Sequence, residues 1–102
     1  MKERNLQAQC MLEASKRHLL VYHFEAVSAQ LPNGRYVKSG VPVGWPDLII
    51  IDQRTSKTMY AELKVKYNTT STEQDTFLRL LPNAYVVRSL DKFIEYLNAT
   101  FS

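Results

Sequence analysis

Six residues, Asp47-Leu48-Ile49-Ile50-Ile51-Asp52, constrain this chain more than any others. Four consecutive large apolar side chains closed at both ends by an acid read as a short strand covered on both faces, central in its sheet. After a polar turn at 53–57, the segment Thr58 to Lys66 alternates. Met59, Ala61, Leu63 and Val65 face one way, and Tyr60, Glu62, Lys64 and Lys66 the other. Two such strands around a short turn form a hairpin. A six-residue turn centred near residues 54 and 55 sets residue n opposite about 109 minus n, so Asp47 falls opposite Glu62.

The remaining elements are read outward from this hairpin. Glu3 to about Arg17 is a helix, with Leu6, Cys10, Ala14 and His18 recurring at i+4 and Met11 widening the stripe. Leu19 to Phe24 is a short strand by its β-branched and aromatic content. Leu31-Pro32-Asn33-Gly34 is a turn, and two Gly and two Pro keep Ser39 to Pro46 a loop. Asn68 to Thr72 is a polar capping cluster, with Thr70 and Glu73 at capping-box spacing. The helix it opens runs through Gln74, Phe77, Leu78 and Leu81 until Pro82 and Asn83 stop it. Tyr85 to Arg88 is a strand, and Ser89 caps a last helix with Leu90, Phe93, Ile94 and Leu97 on one face. The order α-β-loop-β-β-α-β-α makes one α/β domain over residues 1–102.

Composition narrows the function classes. Cys10 is the one cysteine, so no internal disulfide forms, and the charged residues Met1 to Arg4 do not open a secretory signal. No apolar run approaches the roughly 20 residues needed to span a bilayer. The expectation is a cytoplasmic protein with no membrane partner. The net charge of +3 fits either simple solubility or attraction to nucleic-acid phosphate. Arg35 and Lys38 lie in a stretch from Ala26 to Gly44 that holds no carboxylate, so they are candidate phosphate contacts, as are Lys57 and Lys66 more distantly. His18 and His23 have no partner at metal-ligand spacing and read as ordinary core or surface residues.

The chemistry concentrates on the hairpin. Asp47 opens a strand that should be buried, and Glu62 stands mid-strand, where a carboxylate is costly unless paired or bound. Two like charges there repel, and Lys64, two residues on, offers the compensating charge from the same face. Hard carboxylate oxygens of this kind suit Mg²⁺ or Mn²⁺, with water and substrate phosphate completing the shell. A lysine beside such an ion can position or help deprotonate an attacking water, which points to phosphodiester hydrolysis. Glu62 and Lys64 also fit a solvated sheet face with Asp47 merely opening a strand, and the paired register leaves both readings standing. Trp45 fits a packing residue or a wedge against DNA.

Gly44-Trp45-Pro46-Asp47, a short strand and turn, Glu62-Leu63-Lys64, and then Gln74 at the start of a helix form an ordered set. It resembles the VRR-NUC (virus-type replication-repair nuclease) domain of the PD-(D/E)XK nuclease superfamily. Glu3-Arg4-Asn5-Leu6-Gln7 is similar to that family's opening Glu-x-x-apolar-Gln, and Asn33 to Lys38 to its basic hairpin segment. The resemblance covers essentially the whole chain and implies a restriction-endonuclease-like fold, a central mixed sheet flanked by helices. By resemblance Asp47 and Glu62 ligate the metal, the Leu63 carbonyl adds a ligand, and Lys64 serves the water. Glu3 then faces the metal from the first helix and Gln74 supports the lysine or a phosphate; Gln7, Arg35, Lys38 and Trp45 are the candidate nucleic-acid contacts. Trp45 departs from the family, in which that position commonly holds smaller residues. Small stand-alone members resemble Holliday-junction resolvases of phage or bacterial origin. Two symmetric cuts in a four-way junction need two sites about a twofold axis, hence a homodimer. A flap or single-strand repair nuclease, or a non-catalytic nucleic-acid-binding phage accessory protein, are the alternative readings.

Overall fold

The apolar run Leu48–Ile51 forms a strand with a neighbour on each side, which is where four consecutive large aliphatic side chains are most easily covered. A computed structural model describes residues 2–24, 28–30, 32–34, 36–38 and 42–102, with the side chains of 28–30 and 36–38 outside the description. In chain order the elements are α1 (Glu3–Lys16), β1 (Leu20–His23), β2 (Ser28–Gln30), β3 (Tyr36–Lys38), β4 (Leu48–Ile51), β5 (Thr58–Leu63), α2 (Thr72–Leu80), β6 (Ala84–Val87) and α3 (Leu90–Phe101).

Four strands make a mixed sheet in the order β1-β4-β5-β6. The first two pairings are antiparallel, and β5 with β6 is parallel, joined by the α2 crossover that a parallel pair requires. Leu48 stands opposite Ala61 and Ile51 opposite Thr58, the register expected from the turn. That turn is fastened locally: Arg54 N–H donates to Asp52 Oδ1 at 2.9 Å, and Ser56 turns the chain at φ 63°.

Side-chain alternation then sorts the sheet into two faces. Leu48 and Ile50 of β4, Met59, Ala61 and Leu63 of β5, and Val87 of β6 pack against Leu6, Cys10 and Ala14 of α1 and Phe93 and Leu97 of α3. All eleven are at most 1% exposed, and each fully buried Leu or Ile contributes about 1.5–3 kcal/mol. Cys10 belongs to this layer, and burial pushes its thiol up to about 12, so it is a small hydrophobe and not a nucleophile. The second face is closed less completely, and Ile49 and Ile51 are only half-buried. Its cover is an aromatic cluster: Trp45 meets Phe24, Tyr60 and Phe77 edge-on, with centroids 5.8, 5.9 and 5.3 Å apart.

Three local expectations change. The segment given as a loop in the element order contains a two-stranded ribbon, β2 with β3, in line with the likeness of Asn33 to Lys38 to a basic hairpin segment; among the described residues it joins no strand of the main sheet. Strands of three residues are too short for alternation to reveal. β5 ends at Leu63 and not at Lys66: Lys64 N–H still donates to the Val87 carbonyl at 3.1 Å, after which the chain turns, with Lys66 at φ 54°. His18 lies beyond α1 at φ 60°, exposed, and extends no apolar stripe.

Candidate functional site

Continuing the β4–β5 register by one residue sets Asp47 beside Glu62 at one end of the sheet, on the face away from α1 and α3. Asp47 is held by the backbone of the neighbouring strand: Leu63 N–H donates to Asp47 Oδ2 at 2.8 Å. Its own carbonyl accepts from Phe24 N–H at 2.9 Å. Glu62 is 2% exposed, the one carboxylate among the described residues that is fully buried. Glu62 Oε1 accepts from Gln74 Nε2 at 2.8 Å and lies 3.8 Å from Lys64 Nζ. Glu62 Oε2 has no hydrogen-bond donor among the described residues.

Burial, then the neighbouring charge of Asp47 and the hydrogen bond that a protonated Glu62 can give it, push the Glu62 carboxyl up to about 8 from its ordinary 4.5. Lys64 opposes this, and Glu3 adds a smaller push in the same direction as Asp47. Two carboxylates side by side are both acceptors, so Oε2 is satisfied only by a proton between them or by a cation.

Gln74 reaches Glu62 because the start of α2 is built to bring it there. Ser71 Oγ accepts from Gln74 N–H at 3.1 Å, while Ser71 N–H donates to Gln74 Oε1 at 2.9 Å. This is a capping box one residue later than the expected Thr70–Glu73 pair. Thr70 instead donates to Asp75 Oδ1. With Oε1 occupied, the Gln74 amide has its NH₂ turned toward Glu62, so the cap also fixes the site. Gly44 lets the helix come so near. It sits at φ 87°, and a Cβ there would lie 2.6 Å from the Glu73 backbone carbon and from Glu73 Cβ.

The other expected site residues are placed as follows. Glu3, in the first turn of α1, is half-buried and near enough to act on Glu62 through its charge. Glu13, the other carboxylate of α1, is instead paired with Arg17 at 3.3 Å. Gln7 is half-buried, with its amide 3.9 Å from Met11 Sδ. Trp45 is half-buried among three aromatic rings, with a buried Nε1 that has no partner among the described residues. Arg35 lies outside the described residues, and Lys38 is placed on β3 by its backbone alone. Ser71 and Tyr67 were not singled out from the sequence. Ser71 shares its spacing to Gln74 with Thr70 to Glu73, so spacing does not choose between them, and nothing in the pattern around Tyr67 marks it.

The donor set fits a hard divalent cation. Asp47 and Glu62 offer carboxylate oxygens, and Glu62 Oε2 is buried without a donor. Among the described residues no three His, Cys, Asp or Glu side chains converge into a cage, so Glu3 does not join Asp47 and Glu62 in a three-carboxylate cluster.

A mixed sheet with two helices on one face and an acid–lysine cluster at its strand ends defines the class of fold. A solved structure described as "VRR_NUC domain" is similar to this chain over 98% of its residues and 97% of that structure's, with a TM-score of 0.64 and 20% identity. The chain therefore has the VRR-NUC, restriction-endonuclease-like fold. No family model matches the sequence, and no curated protein matches it.

Proposed function

We propose that this protein is a divalent-metal-dependent, structure-selective DNA endonuclease that acts as a homodimeric Holliday-junction resolvase in the cytoplasm of a bacterium or a phage-infected host. The observation that carries this reading is the meeting of Asp47, Glu62, Lys64 and Gln74 at one sheet end, around a buried carboxylate oxygen that lacks a donor. The likeness to a VRR_NUC domain supports it.

In this reading Asp47, Glu62 and the Leu63 carbonyl hold Mg²⁺ or Mn²⁺, and Glu3 adds negative charge from α1. An ion held there would supply positive charge to offset the charge that develops on the phosphate. Lys64, 15% exposed and beside Glu62, orients the water that adds to phosphorus as the bond to the leaving oxygen breaks. Gln74 keeps the Glu62 carboxylate turned toward Asp47. Gln7, Arg35, Lys38 and Trp45 would contact the DNA, and a second copy would supply the second cut.

The test is cleavage of a labelled four-way junction, a linear duplex and a flap of the same sequence in Mg²⁺ and in Mn²⁺. Wild type is expected to nick the junction in symmetric pairs. Asp47→Ala and Lys64→Ala should each lose at least about a hundredfold in rate while still binding the junction. Normal cutting by either variant would sink the site assignment. Cutting mainly of the flap would keep the nuclease and discard the resolvase, and binding without cutting by wild type would favour an accessory protein.

A further inference from the structure

The chain leaves the site at Lys64 and returns to it at Ser71 and Gln74, and the turn between them carries the most exposed aromatic side chain among the described residues. Tyr67 is 97% exposed. The turn that presents it is fastened at two points. Asn68 N–H donates to the Val65 carbonyl at 3.2 Å, closing the turn, and Arg88 Nη1 donates to the Asn68 carbonyl at 2.8 Å, tying it to the end of β6. Lys66 holds φ 54° within it, a conformation that reverses the chain and costs a non-glycine residue energy. From Leu63 to Thr72 there is no carboxylate, and Lys64 and Lys66 are the charged residues of the stretch.

An aromatic ring held almost wholly in water gives up the burial that such side chains normally gain. Here it stands three residues after Lys64 and directly after Lys66, two cations that attract phosphate. The contrast with Trp45 is direct, because the rings of Phe24, Tyr60 and Phe77 already crowd that indole.

We propose that Tyr67 is a stacking platform for an unpaired nucleobase adjoining the scissile phosphate, with Lys66 engaging the backbone beside it. This rests on the nucleic-acid reading of the site and deepens it. The substrate class becomes DNA that can offer a free base face, as at a branch point or a single-stranded arm, and not continuous duplex, whose bases are stacked on one another. Stacking on an aromatic side chain is tolerant of base identity, so the contact selects structure and not sequence.

The experiment measures binding by fluorescence anisotropy, in EDTA to prevent cutting, for a single-stranded oligonucleotide, a four-way junction and a fully paired duplex. Wild type, Tyr67→Phe and Tyr67→Ala are compared, with melting temperatures checked to be equal. Tyr67→Ala is expected to weaken binding of the single strand by roughly 5- to 100-fold and of the duplex by less than about twofold, with Tyr67→Phe close to wild type. A 2-aminopurine in the single strand should be quenched by wild type and less so by Tyr67→Ala. Equal affinity of wild type and Tyr67→Ala for the single strand would overturn the proposal. So would an equal loss on all three DNAs, which would mark a general surface contact. The nuclease reading is scored apart, by wild-type cleavage in Mn²⁺. Cutting that does not depend on Tyr67 defeats the platform alone, Tyr67-dependent binding without cutting defeats the nuclease alone, and absence of binding to any DNA defeats both.

Discussion

The same two strands, β4 and β5, build two regions that obey opposite rules. On the face under α1 and α3, Leu48, Ile50, Met59, Ala61 and Leu63 are apolar, fully buried and mutually packed. At the strand ends on the other face, Glu62 is as deeply buried as they are, yet it is a carboxylate beside a second carboxylate, with one oxygen lacking a donor. The first region stabilises the fold. The second opposes it, and the fold tolerates the second because the first is large.

The comparison breaks if a core truncation is mild. Leu48→Ala removes a fully buried side chain and should cost about 2–5 kcal/mol by urea unfolding, while the protein that remains folded keeps its cleavage rate. A smaller and opposite change is expected at the site. Glu62→Gln removes the buried charge and should raise stability at pH 8 without metal by about 1–3 kcal/mol while abolishing cleavage. Destabilisation by this variant would mean that Glu62 is a structural anchor and not an imposed charge.

The pH dependence carries the same contrast. The Glu62 carboxyl is pushed up to about 8 in the folded state, so the folded protein holds this proton more tightly than the unfolded chain does. Its contribution to stability is complete below the ordinary value of 4.5 and is lost as pH rises through about 8. Melting temperatures in EDTA should therefore fall over that window in wild type and stay flatter in Glu62→Gln. Because the ion displaces the proton, millimolar Mn²⁺ should raise the wild-type melting temperature more at pH 8 than at pH 6. The smallest effect sits at the helix cap. Ser71→Ala should cost about 1 kcal/mol of stability and slow cleavage several-fold, because Gln74 loses part of the frame that aims it.

What was legible in the sequence follows the same division. The register that sets Asp47 against Glu62 was readable because a short turn centred near residues 54 and 55 fixes which residues of the two strands stand opposite each other. Helices α1 and α3 were readable from Leu6, Cys10 and Ala14, and from Phe93 and Leu97, at helical spacing. The capping box was misplaced by one residue because Thr70-x-x-Glu73 and Ser71-x-x-Gln74 satisfy the same pattern. Tertiary contacts decide between them: the reach of Gln74 to Glu62 and the approach of Glu73 to Gly44. The β2–β3 ribbon carried no strand signal in its residue pattern, because three-residue strands are too short for alternation, and only the likeness of Asn33 to Lys38 to a basic hairpin segment pointed to it. Polar geometry at the site is likewise set across the fold, between residues 12 or 16 positions apart, where periodicity says nothing.

The Gln74 side chain is a member of two structures at once, the first turn of α2 and the carboxylate pair. Fraying of that turn and disassembly of the site are therefore a single event. Amide hydrogens at the start of α2 should exchange with solvent at the rate at which Glu62 is released, so a helix end that ordinarily opens freely becomes a gauge of how often the site is whole.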